Sequence, residues 1–120
     1  MSITIPTAEQ VSYLRKFNVA AIYLIAVPGT AAVLIGSATH IVASSAKLVR
    51  RHEVLFRGGK PLEFVWCGWL DRDAAARVVF GVTRRHGGAL LKLSVPAAVA
   101  EISGMAQRLG AFGWRIMTRP

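Results

Sequence analysis

Four arginines stand in two adjacent pairs, Arg50-Arg51 and Arg84-Arg85, and a glycine-containing stretch between them holds Arg57 and Lys60. A guanidinium group can fork two phosphate oxygens, and a glycine loop lets main chain approach a polyanion backbone closely. These six cations are the candidate nucleic-acid contacts; the competing reading is a solvated charged face. Two further side chains could act at a phosphate. His40 follows the second of two apolar runs, where a loop would present an imidazole able to contact phosphate or act as a base. As a lone histidine near a helix start, it also fits an ordinary polar surface position. Tyr23, inside the first apolar run, is either a core aromatic or a functional hydroxyl. His40 and Tyr23 are the candidate catalytic residues.

Other chemistry is sparse. Cys67, the one cysteine, lies in the apolar run Phe64 to Trp69 and reads as a buried small hydrophobe. A single thiol excludes an internal disulfide and any multi-cysteine zinc site, and it suits a reducing, cytoplasmic setting. There is no phosphate loop ending in Gly-Lys-Ser/Thr, no zinc helix of the His-Glu type and no nucleophile elbow. No metal ligand set and no cofactor is expected from the residues themselves. Trp66 and Trp69 read as core, and Trp114 as core or a base-stacking surface.

The whole chain is strongly basic. Fifteen Lys and Arg oppose six acids, for a formal charge of +9 and a pI near 11.2 in 120 residues. Such a field suits phosphate backbones or anionic lipid. Hydrophobic residues reach 53% and mean hydropathy is +0.44, which excludes a disordered chain. The length supports one domain over residues 1–120. From Val19 to Ala46 no charged residue occurs, so a membrane span has to be weighed. Pro28-Gly29 breaks that run into pieces of strand length, and Gly36, Ser37, Thr39, His40, Ser44 and Ser45 dilute its second half. No membrane span is expected.

The elements that must carry these residues follow from periodicity and caps. Thr7 with Gln10 opens a helix over 7–17. Two strands, 20–27 and 32–37, joined through Pro28-Gly29-Thr30, form an antiparallel pair. A helix spans 40–56, its stripe built from Ile41, Leu48 and Leu55 beside Val42, Val49 and Phe56. A loop over 57–61 leads to a third strand, 62–70. Asp71 or Asp73 caps a helix over 72–86 whose core face is Ala75, Val78, Val79 and Val82, and Gly87-Gly88 ends it. Leu90 to Leu93 makes a short strand or connector. Ser94 caps a last helix to Leu109, with Val99, Ile102, Ala106 and Leu109 inward, and 112–117 can add an edge strand. The expected architecture is α/β: a small three-stranded, mainly antiparallel sheet flanked by helices, with extra N-terminal and C-terminal helices.

The order strand, turn, strand, helix, strand, helix resembles the GIY-YIG nuclease core. Ala21-Ile22-Tyr23 and Leu34-Ile35-Gly36-Ser37 look like degenerate copies of its two signature tripeptides. The run Asp71 to Gly88, closing on Arg84-Arg85-His86, is similar to the helix after the third strand in the nuclease subunit of bacterial excision repair. The resemblance covers residues 19–88. It implies a divalent metal (Mg or Mn) held by a helix glutamate, a tyrosine that helps activate the nucleophile and an arginine that steadies the phosphate. By that resemblance Tyr23 matches the first tyrosine. Leu34 replaces the second, the arginine's place falls near Ser44, and the glutamate's place falls on Val79, which cannot bind a metal.

The sequence therefore leads to a basic nucleic-acid-binding module, with DNA expected, on a nuclease-like fold whose catalytic residues are largely lost. Two alternatives stay open. One is an active, metal-dependent, structure-specific endonuclease. The other is a small interaction protein that forms a homodimer or docks on a larger assembly.

Overall fold

The computed structural model describes residues 18–56, 63–109 and 115–116. Strand β1 (Val19–Ala26) turns through Pro28-Gly29-Thr30 into β2 (Val33–Ala38), with Val27 N–H donating to the Ala32 carbonyl across the turn. Helix α1 (Ile41–Arg51) follows, then a 3-10 turn over Glu53–Phe56. Strand β3 (Phe64–Asp71) runs into α2 (Arg72–His86), β4 (Leu90–Leu91) and α3 (Val95–Arg108); β5 (Arg115–Ile116) comes last.

The five strands are ordered β4-β2-β1-β3-β5, and every neighbouring pair is antiparallel. The α/β class therefore holds, while the expected three-stranded sheet is corrected. The three long strands are its centre, and two-residue strands extend it at both edges. Leu90–Leu91 pairs with Val33–Leu34, and Arg115–Ile116 pairs with Gly68–Trp69. The expected helix over 7–17, the loop over 57–61 and most of the tail lie outside the described residues.

β1 is central, and its residues Ala20 to Ile25 are buried on both sides. That is why it reads as a continuous apolar run rather than an alternating one. Its even positions, Ala20, Ile22 and Leu24, join Ile35, Trp66, Leu70, Val78, Val82 and Ile102 in a core under α2 and α3. Its odd positions, Ala21, Tyr23 and Ile25, join Leu34, Ile41, Cys67 and Trp69 in a second core under α1 and the 3-10 turn. Trp66 and Trp69 are both buried, on opposite faces, because a three-residue spacing in a strand changes side. Among the described residues the Trp69 indole N–H has no hydrogen-bond partner.

The uncharged run from Val19 to Ala46 is thus two strands and the start of a helix. Among the described residues no helix is long and apolar enough to cross a membrane. The helix expected over 40–56 divides at His52, whose N–H reaches back only three residues to Val49 and begins the tighter turn. Leu55 and Phe56 still reach the core, but Val42 is 55% exposed, its expected place taken by the buried Ser45. In α3 the inward face is Ala98, Ile102 and Ala106, with Val99 packed beside it, and Leu109 turns outward.

The N-caps of α2 and α3 and the stop of α2 are those the sequence indicates. The Asp71 carboxylate accepts from the N–H groups of Asp73 and Ala74, and Ser94 Oγ accepts from Ala97 N–H. Gly87 ends α2 in the left-handed conformation, φ 73°.

Candidate functional site

Tyr23 sits at the middle of β1, paired with Gly36 of β2 on one side and Cys67 of β3 on the other. Its ring lies across Gly36, so closely that a Cβ there would collide with the phenol. The glycine of the second signature-like tripeptide therefore makes room for the tyrosine of the first. Phe64 meets the same ring edge-on, with centroids 5.9 Å apart.

This packing aims the phenol at α1, where its hydroxyl shares a 2.6 Å hydrogen bond with Ser44 Oγ. Tyr23 is fully buried, while its hydrogen-bond partner Ser44 is half-buried. Burial raises the Tyr23 pKa above the ordinary phenol value, and the Ser44 hydrogen bond only partly opposes this. A phenol kept neutral in this way is a poor general base; in this geometry Tyr23 is a positioning residue for the serine hydroxyl.

From Ser44, α1 repeats on one face at Lys47 and Arg51, spacings of three and seven. With Tyr23, Gly36, Ala43 and Leu48 these residues line a groove of about 320 Å³. Among the described residues no carboxylate lines it. Lys47 and Arg51 are exposed, and among the described residues neither makes an ion pair. Two uncommitted cations and a hydroxyl beside a shallow floor form an electropositive groove of the kind that takes a phosphate group. Arg51 also lies in the last turn of α1, where the helix carbonyls favour its charge.

The other candidate residues are placed elsewhere. His40 is the N-cap of α1, its Nδ1 accepting from Ala43 N–H at 3.1 Å. It lines a different cavity, with Ser37, Thr39 and Arg72, and does not meet Tyr23's groove. Arg50 is exposed on α1 beside the groove but does not line it. Arg84 and Arg85 are exposed in the last turn of α2, on the opposite face of the sheet from α1. The two arginine pairs therefore do not share one face, because β1 buries both its sides and a helix covers each. Arg57 and Lys60 lie outside the described residues.

Ser44 and Lys47 are the site residues that sequence reasoning missed. Their signal was the helical spacing back from Arg51, together with the resemblance that put an arginine's place at Ser44.

The implied metal does not fit these residues. Val79, at the glutamate's place, packs against the core under α2 and α3, on the far side of the sheet from Tyr23. Leu34, at the second tyrosine's place, is fully buried. Among the described residues no cluster of three His, Cys, Asp or Glu side chains could hold an ion. Compared with known proteins, the chain matches no family model, no curated protein and no solved structure.

Proposed function

We propose that this chain is a nucleic-acid-binding module, with DNA the expected partner, on a nuclease-like fold of the GIY-YIG type that binds without cutting. The groove over Tyr23 carries the reading: Ser44, Lys47 and Arg51 ring it and, among the described residues, no acid does. The charge of +9 supports it at longer range, since it draws a polyanion to any face of the molecule. The order of the long strands and the helices after β2 and β3 supports the nuclease-like descent, as does the fit of Tyr23 over Gly36. The short edge strands go beyond that core. Binding without cutting rests on Val79, since an apolar side chain in a packed cluster supplies no metal ligand.

The test is affinity for a labelled DNA duplex and a branched DNA, measured by anisotropy across a salt series. The logarithm of affinity should fall linearly with the logarithm of salt, and Lys47→Ala with Arg51→Ala should reduce that slope by roughly 0.9 each. Affinity indifferent to salt, or untouched by the double substitution, overturns the proposal. DNA incubated with magnesium or manganese should stay intact. Nicking abolished by Tyr23→Phe would restore the endonuclease reading.

A further inference from the structure

We infer that the outer face of α2, on the opposite side of the sheet from the groove, is a second nucleic-acid contact that takes an unpaired base. The inference rests on the nucleic-acid reading above and adds a surface and a form of ligand to it. Phe80 is 65% exposed. The buried side of α2 is Ala75, Val78 and Val82, and at 100° per residue Phe80 points directly away from it. Its carbonyl accepts from Thr83 Oγ1, but its ring projects to solvent.

The neighbours on that face decide what can cover the ring. Along the four-residue ridge of the helix stand Arg72, Ala76, Phe80 and Arg84, all exposed, with Arg77 alongside. Ala76 is too small to shield the ring, and the arginines lie a turn or two away in both directions. Among the described residues none of these arginines makes an ion pair. Asp73 is the acid on this face, and Asp71 is committed to capping the helix. An apolar partner surface would need more than one aromatic and would strand these cations. A base stacked on the ring, with its flanking phosphates held by the arginines, satisfies both chemistries. A paired base has its faces hidden by its neighbours, so the ligand is a single strand or a duplex with an unpaired segment.

The N-terminal end of the ridge supports this. There Arg72 and Ala76 line a cavity of about 320 Å³ together with Ser37, Thr39 and His40. Because His40 Nδ1 accepts the capping hydrogen bond, its neutral ring carries the proton on Nε2, a donor suited to a phosphate oxygen.

The experiment compares a fluorescently labelled oligothymidine with a blunt duplex of equal length at fixed salt, using the wild-type chain, Phe80→Ala and Phe80→Trp. Phe80→Ala should weaken single-strand binding roughly 5- to 150-fold, the equivalent of about 1–3 kcal/mol for one stacked base. Its duplex affinity and salt slope should stay as in the wild type. Phe80→Trp should bind the single strand normally and show an added fluorescence quench. Unchanged single-strand affinity in Phe80→Ala overturns the inference while salt-dependent duplex binding keeps the proposed function intact. Equal loss on both ligands, or a change in self-association by sedimentation, also overturns it, the latter pointing to a protein contact. A wild-type chain that binds neither nucleic acid overturns both.

Discussion

Removing the Tyr23 hydroxyl separates its packing role from its hydrogen bond. Tyr23→Phe keeps the ring over Gly36 but leaves the half-buried Ser44 hydroxyl without its 2.6 Å partner. A loss of about 1 kcal/mol in urea unfolding is expected, with affinity lowered far less than by the Lys47 and Arg51 substitutions. Cys67, buried beside Tyr23 in the sheet, is held in its neutral form too: burial pushes its thiol from near 9 up to about 12. Both groups therefore have folded pKa values raised above their unfolded ones. Their neutral forms stabilise fully below the unfolded values, and that stability is lost as pH rises through the folded ones. For Cys67 the window is pH 9 to about 12, at about 1.4 kcal/mol per pH unit. Cys67→Val should flatten the fall in stability between pH 8 and 11, and identical falls in both proteins would refute this. In native buffer the thiol should also resist alkylation until the chain unfolds. At this scale the sequence placed Tyr23 and Cys67 each in an apolar strand. It named Ser44 only as the place of a missing arginine and gave Lys47 no role, because a serine and a lysine acquire meaning only once a helix face sets them over a buried phenol.

Among the elements, two glycines answer to different constraints. Gly36→Ala drives a methyl group into the Tyr23 ring, which Phe64 and Ser44 hold in place. A loss of at least 1–3 kcal/mol is expected, since an overpacked core must shift backbone or rotamer. At Gly87 a Cβ meets nothing within 4 Å, yet its φ of 73° strains any L side chain. Gly87→Ala should cost about 1–2 kcal/mol and leave binding unchanged, a contrast that thermal melts with parallel titrations can read. The helix ends were legible because caps are local: Asp71, Ser94 and Gly87 each act within four residues of themselves. Burial that depends on distant partners was less so. Val42 and Leu109 fit an apolar stripe on their own helices, but both stay exposed. Strands of two residues such as Leu90–Leu91 carry too little pattern to distinguish them from connectors.

Across the whole molecule, charge and layers are arranged independently. Cations stand on both sides of the sheet, Lys47 and Arg51 over one face and Arg72, Arg77 and Arg84 over the other. Reversing the charge on one side should therefore leave a residual, salt-sensitive affinity, and reversal on both sides should abolish it. On the α2 side, His86 Nε2 donates to Glu101 at 2.6 Å and ties α2 to α3, while Met105 of α3 lies over Gly81. The pair is partly exposed, so Glu101→Gln should cost no more than about 1 kcal/mol.

β1 is a party wall between two rooms: alternate side chains from the same six residues furnish each. Neither room can be emptied while the other stays furnished, and sliding the strand by one residue would exchange their contents. Denaturant should accordingly melt both sides together, with tryptophans on either side, Trp66 and Trp69, reporting one midpoint. The amides of Ala20 to Ile25 should be the last to exchange with deuterium, opening only when the whole chain does.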